Sequence, residues 1–291
     1  MRVTDSISYR NFLTGLDALN SQMETANQQI STGKKLLSLK DSPSGSAEVV
    51  KLRAQLSGLD QYQSNNDSGT AYLSMTDTAL NSLNNILTSI FTTGSGVASD
   101  TSTAAIRTST AAEVRSLRDH VLSLANTEVG GHYIFAGSQT LSTPFTIAGD
   151  TVTYHGDPAV NSIEVAEGVR VNQNVPGSTA FQGAFNTINA LLTALDGNDT
   201  AAIQAALGQF SSALTGISQI RAQVGSALGR LADLKSALSS EKTSLTARQS
   251  QIEDANQAEA VTKLTQTQTA IQASLKAQTV IQQYNLFDFL A

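Results

Sequence analysis

The sequence has no cysteine and no tryptophan, 4 prolines in 291 residues, 5% aromatic residues and 14% charged residues. Without cysteine there are no disulfide staples and no thiolate metal site. The charged fraction lies well below the roughly 25% of an ordinary globular domain. A net charge of −6 supplies no basic footprint for phosphates, which argues against nucleic acid as a partner. No window approaches the ~18 consecutive apolar residues of a membrane span. The first residues lack the charged region, apolar run and small-residue cleavage site of a secretory signal peptide. By these signals the chain is expected to be cytosolic, or to leave the cell by a route that removes nothing.

What remains is Ala, Ser, Thr, Gln, Asn and Leu, a composition suited to long polar-faced helices that meet through small side chains. At 40% hydrophobic content the chain can bury a core, as one large domain or two smaller ones. The apolar residues are arranged with helical spacing. Tyr9, Phe12, Leu16, Leu19, Met23, Ala26 and Ile30 alternate steps of three and four, the mean 3.5-residue period of a narrow coiled-coil seam. That helix, 5–33, is expected to end at Gly33 before Lys34 and Lys35, with the glycine as a left-handed cap. Asp41, Pro43 and Gly45 then mark a turn. A second helix, about 45–91, carries Leu52, Leu56, Leu59, Leu73, Leu80 and Leu87 in one register, with Gln63, Asn66, Thr70, Asp77 and Asn84 at intervening positions. Polar residues there weaken a seam and also fix its register.

The stretch "TTGSGVASDTST" is expected to break that helix, and a third follows with Val114, Leu117, Val121 and Leu124 on its stripe. After Gly130 and Gly131 the period falls to 2, and short β-rich runs punctuated by Gly, Pro, Asn and Asp predict a small antiparallel insert over 131–178. Helices return from about 180, with "DGND" as turn and N-cap. A seam through Ile217, Ile220, Val224, Ala227, Leu231, Leu234, Leu238, Glu241, Leu245, Arg248, Ile252 and Ala255 runs for ~40 residues, or ~60 Å, the length of a rod rather than of a compact globule. A last helix carries Val261, Leu264, Ile271 and Leu275 before the aromatic tail "YNLFDFLA". The expected fold is mainly α: a long antiparallel helical rod or coiled-coil bundle built from both chain termini, with a small β-rich inserted domain. Its segments are 1–40, 41–130, 131–178, 179–255 and 256–291.

Catalytic chemistry finds little support. His120, His132 and His155 have no His or Cys partner at ligand spacing. There is no G-x-S-x-G elbow and no G-x-G-x-x-G, and "STGKK" lacks the other glycine and the Ser/Thr of a phosphate loop. "DGNDT" has Ala201 and Leu207 where a calcium loop needs Gly and Glu. Glu253 and Asp254, adjacent on a helix, point in different directions and do not make a catalytic carboxylate pair. No enzyme activity, cofactor or metal is expected. The amphipathic end helices leave three readings open: one strand of an internal bundle, an intermolecular surface, or membrane-surface binding, which the lack of a Lys/Arg array on the polar faces disfavours.

"LNSQMETANQQISTGKKLLSLKDSPSGSAEVVKLRAQLSGLDQYQSNN", with its seam, Ser/Thr-Gly-Lys step, Asp-Pro turn and returning helix, resembles the N-terminal signature of the bacterial flagellins and their relatives. "GGHYIFAGSQTLSTPF", "GVRVNQNVPGSTAF" and the ending "NLFDFLA" are similar to the hook-filament junction members of that family. The resemblance runs over nearly the whole chain, and its middle motifs are the specific ones. It implies a structural adaptor between hook and filament, exported unfolded without signal cleavage to an extracellular flagellum. Its partners would be the preceding hook-associated protein (type 1), flagellin, its own copies in a helical ring and a cytosolic export chaperone. It implies that the terminal helices form an inner tube domain and that the β insert faces outward. The interface residues are then Tyr9, Phe12, Leu16, Leu19, Met23, Ile30, Val261, Leu264, Ile271 and Leu275, and the chaperone candidates are Tyr284, Leu286, Phe287, Phe289 and Leu290. A short self-polymerising flagellin and a secreted coiled-coil adhesin are the alternatives.

Overall fold

In a computed structural model the described residues are 2–38 and 40–290, with side chains over 7–38 and 40–280. They form α1 (Arg2–Thr32), α2 (Pro43–Gly96), α3 (Ala104–Ala125), β1 (Glu128–Val129), β2 (His132–Tyr133), β3 (Phe145–Ala148), β4 (Thr151–Tyr154), β5 (Ser162–Ala166), β6 (Val169–Asn172), α4 (Gly177–Ala180), α5 (Gln182–Asp196), α6 (Thr200–Glu253) and α7 (Gln257–Leu290). The chain divides into two compact units, one of residues 1–58 with 241–291 and the other of residues 59–240. The divisions fall inside α2 and α6, not at the borders of the five segments expected from the pattern.

Local chemistry explains the helix starts. Pro43 opens α2 where its missing N–H costs nothing, and Ser42 Oγ accepts from the Gly45 amide at 3.1 Å. Thr103 caps α3 through the Ile106 amide. Asp199 Oδ1 caps α6 through the Ala202 amide at 3.0 Å, after a turn in which Asn198 has φ 50. Asn256 Oδ1 accepts from the amides of Ala258 and Glu259 at the start of α7. Each cap satisfies an amide that has no partner inside its helix. The expected break after residue 91 lies further on, because α2 runs through Gly94 to Gly96. Gly94 is a contact glycine: a Cβ there would stand 3.0 Å from Leu207 and 3.1 Å from Leu191.

In the unit of residues 59–240, α2 and α6 run antiparallel, tied by Lys235 to Asp67 at 2.7 Å and Arg221 to Asp77 at 2.9 Å. Asn66, fully buried, donates to the Leu231 carbonyl at 3.0 Å. The six strands make three separate two-stranded antiparallel ladders, β1–β2, β3–β4 and β5–β6. A lone hairpin is marginal in water, so each ladder relies on the helices. Asn126, the C-cap of α3, bonds both the amide and the carbonyl of Phe145. Asn65 on α2 donates to the Glu164 carbonyl at 2.7 Å. Arg118 on α3, almost buried, binds Asp150 in the β3–β4 turn. The β segment therefore shares one core with the helices. Phe135, Phe145, Phe181 and Phe185 are at most 1% exposed, and Phe135–Phe181 and Phe145–Phe185 centroids lie 4.7 and 5.3 Å apart.

The strand-linking loops close on a tight contact at Gly137. Its φ is 71, a left-handed value that disfavours any side chain, and an added Cβ would collide with the carboxylate and carbonyl of Asp157. Asp157 is held in place by the Ser138 hydroxyl and amide and by the Ala159 amide, bonds that keep its carboxyl below the usual carboxylate range. Gly137→Ala is expected to destabilise this unit by roughly 2–4 kcal/mol, read as a lower urea midpoint at unchanged slope. An unchanged midpoint would contradict the close approach.

Candidate functional site

The remaining unit is built around α1 and α7. The C-terminal end of α1 meets the N-terminal end of α7 and the two helices pack along each other, so they run antiparallel. On α1 the inward positions are Phe12, Leu16, Leu19, Met23 and Ile30, all half-buried, with Ala26 buried. Tyr9 is 48% exposed at the open end of this seam, its ring 6.5 Å from that of Phe12.

On α7 two interleaved stripes share Leu264 and Ile271, both half-buried. One adds Val261 and Leu275. The other adds Ala260, Thr267, Ser274 and Gln278, and this is the stripe turned inward: Ala260 and Thr267 are buried, Ser274 and Gln278 half-buried. Val261 and Leu275 stay 49% and 47% exposed. Sequence reasoning passed over the second stripe because its residues are small or polar, although the three-four alternation of 260, 264, 267, 271, 274 and 278 was there to be counted. Small side chains let two helix backbones come close, and Thr267 satisfies its hydroxyl on the Lys263 carbonyl at 2.8 Å, so its burial leaves no donor orphaned. Leu13, 44% exposed, follows Phe12 just as Val261 follows Ala260 and Leu275 follows Ser274. In an antiparallel pair these equivalent flanks lie on the same side, which gives the pair one apolar edge open to solvent. Tyr284, Leu286, Phe287, Phe289 and Leu290 lie outside the residues with described side chains.

The connectors at the base of the pair are tied together. The Lys35 amide donates to the Glu253 carbonyl and the Ala255 amide to the Gly33 carbonyl, each at 2.8 Å. Between them Lys34 Nζ reaches Asp254 at 2.9 Å and Glu253 at 3.5 Å. Glu253 is 5% exposed and also takes Arg53 from α2 at 2.5 Å and Gln249 at 2.8 Å. Burial pushes its carboxyl upward, but Gln249, Lys34 and Arg53 outweigh that, and the net shift is below the usual glutamate value. Asp254 is lowered by Ser250 and then Lys34, while Lys34 is raised, chiefly by Asp254.

Nothing in this arrangement resembles a catalytic centre. Two of the three histidines bond threonines around the hairpins, His132 with Thr140 and His155 with Thr146, and His120 is exposed on α3. Among the described residues no group of three or more His, Asp and Glu could hold a metal, and no helix is long and apolar enough to cross a membrane.

The architecture is that of a mainly α protein in which the helices nearest the two termini pack as one narrow-seamed pair with Leu13, Val261 and Leu275 exposed. The bacterial flagellin N-terminal helical region matches residues 3–140 and the bacterial flagellin C-terminal helical region matches residues 207–290. The chain belongs to the bacterial flagellin family. It is 26% identical over 319 aligned positions, 99% of both chains, to flagellar hook-associated protein 3 of Salmonella typhimurium. It is 25% identical, over 94% of both chains, to a flagellin of Bacillus subtilis. The flagellar junction protein FlgL of Legionella pneumophila shares the fold, with a TM-score of 0.59 at 15% identity over 71% of this chain and 99% of that one. These relatives bear the names of structural parts of the flagellum, not of enzymes.

Proposed function

We propose that the protein is the structural adaptor that joins the flagellar hook, through the preceding hook-associated protein, to the flagellin filament. The observation that carries this reading is the end-to-end similarity to flagellar hook-associated protein 3, which spans 99% of both chains and so includes the middle as well as the helical ends. The geometry supplies a mechanism. The α1–α7 pair has a seam of only moderate burial and an exposed edge of Leu13, Val261 and Leu275, so neighbouring subunits can complete what the lone chain leaves open. Helices with narrow apolar seams gain most of their stability from tertiary and intermolecular packing. Ordering them on contact couples folding to growth. Head-to-tail contacts of this kind build open helical arrays, with one end matched to the ring before and the other to the filament after.

The tail of Tyr284, Leu286, Phe287, Phe289 and Leu290 is an apolar segment suited to cover by an export chaperone before the chain leaves the cell. Deleting the gene tests the adaptor: hooks should remain, filaments should be missing from the cell surface, and flagellin should accumulate in the medium. A deletion strain with attached filaments sinks the reading. Complementation with a chain truncated at residue 283 tests the tail in the same assay, and undiminished secretion of the truncated chain would remove its chaperone role. The 25% identity to a flagellin over 94% of both chains favours a second reading, a short self-polymerising flagellin. Long filaments grown from the purified protein alone would decide for it.

A further inference from the structure

Residues 59–240 carry fourteen Asp and Glu against seven Arg and Lys, a net charge of −7. Five of the seven cations are engaged within the unit. Arg107 bonds the carbonyl and side-chain oxygens of Asn198, and Arg115, Arg118, Arg221 and Lys235 each meet a carboxylate. Among the described residues the other two, Arg170 and Arg230, have no partner, although acids lie close in sequence or across the ladder. Glu164 stands opposite Arg170 on the neighbouring strand but accepts from the Gly168 amide instead. Asp233 follows Arg230 by one turn of α6 without pairing to it.

These two cations belong to one place. Arg230 stands at the rim of a groove of about 390 Å³ between α2, α6 and the segments around β5 and β6. Its floor is Leu73, Val224 and Ala227, all buried, and its open wall is Val160, 50% exposed. Asn172 borders the groove on the side of β6, and Arg170, two residues before it, projects from the same face of that strand. The groove is preformed. Buried Asn174 accepts from the Asn161 amide at 2.7 Å and donates to the Ala159 carbonyl at 3.2 Å, which fixes the chain on either side of Val160.

An apolar floor with a polar and charged rim is the make-up of a protein contact, and arginines without an internal acid suit carboxylates from outside. Other copies of this chain carry them. Asp100, Glu113 and Glu128 are exposed elsewhere on the unit and have no cation partner among the described residues. Identical units of net −7 set side by side repel one another, so contact between copies needs cations that are not already neutralised, and Arg170 and Arg230 are the two available. We propose that this groove is a contact between copies: Val160, Val224 and Leu73 receive an apolar side chain of the neighbouring subunit while Arg170 and Arg230 bind its carboxylates. Groove and acids occupy different parts of the unit, so the contact is heterologous and repeats from one subunit to the next. The inference rests on reading the chain as a subunit of the junction, and it asks nothing of the terminal helices, because the groove is complete within residues 59–240.

The test is photo-crosslinking in assembled flagella. The full-length chain with p-benzoylphenylalanine in place of Gln223, an exposed residue of the rim, is expressed in the deletion strain, and detached flagella are irradiated. The expected adduct joins two copies of this chain through a peptide from residues 59–240 of the second. An adduct with flagellin or with the preceding hook-associated protein, or none from flagella that contain the substituted chain, overturns the proposal. Arg170→Glu combined with Arg230→Glu should reduce attached filaments about tenfold, whereas Arg170→Lys with Arg230→Lys, which keeps both charges, should stay within about twofold of wild type. Both arginines are exposed, so the thermal midpoint of the charge-reversed chain should match the wild type, which separates a lost contact from a lost fold. Filaments at the wild-type level in the charge-reversed chain also overturn the proposal. A deletion strain that keeps its filaments removes the adaptor reading by itself, and the adduct at position 223 still reports whether copies meet at this groove.

Discussion

Phe181→Ala is expected to cost about 3–5 kcal/mol, enough to unfold the unit of residues 59–240 in much of the population at 37 °C. Phe181 is fully buried between α4 and α5, edge-on to Phe135 at 4.7 Å and 6.0 and 6.4 Å from Phe145 and Phe185. Truncation removes three ring contacts at once, each worth roughly 0.5–1.5 kcal/mol beyond area burial. It leaves a cavity lined by rings that cannot close over it. The helices alone do not compensate, because the β3–β4 ladder meets them through this cluster, by Phe145 and Tyr154. Thermal unfolding followed by near-ultraviolet circular dichroism checks the result. A loss below about 1 kcal/mol would show that the ring cluster is not the centre of the core.

Leu19→Asp should have the opposite distribution of effects. Leu19 lies midway along the α1 seam and is half-buried. A carboxylate in that half-buried seam loses the apolar contact and pays for desolvating its charge, at a cost of about 2–4 kcal/mol of pairing. The unit of residues 59–240 does not contain either helix, so its unfolding midpoint should stay at the wild-type value while attached filaments and swimming are lost. The variant is to be expressed in the deletion strain and scored for filaments by electron microscopy and for motility in soft agar. Normal filaments would mean that this seam does not carry assembly. Taken together, Phe181→Ala and Leu19→Asp separate a fold defect from a surface defect.

How far these sites could be read in advance depends on the range of the forces involved. The α1 seam was legible because its large residues mark one face, and Phe12, Leu16, Leu19, Met23 and Ile30 are half-buried on a helix whose other positions are mostly exposed. The turn glycines, the "DGND" cap and the strand-rich segment were legible for the same local reason: backbone conformations and 2- or 3.5-residue periods are written in neighbouring residues. The end of α2 was misplaced since "TTGSG" reads as a breaker in isolation. In the fold Gly94 stays within the helix against Leu191 and Leu207, where an added Cβ would stand only 3.1 and 3.0 Å from their methyl groups. The bridge at Glu253 was invisible as a partnership, because Lys34 and Arg53 reach Glu253 only once segments about 200 residues apart in sequence have been brought to one place.

By itself, then, the order of residues determined the helical character, the location of the hairpins and, with no cysteine present, the exclusion of thiol chemistry, since these depend on residue identity and short-range periodicity. Three features were settled only in three dimensions: which of the two α7 stripes faces inward, the splitting of the β segment into three ladders around one aromatic core, and the tie at the base of the terminal helices. Each turns on how closely two distant backbones can approach, which small residues permit and large ones prevent, and no local pattern encodes that distance.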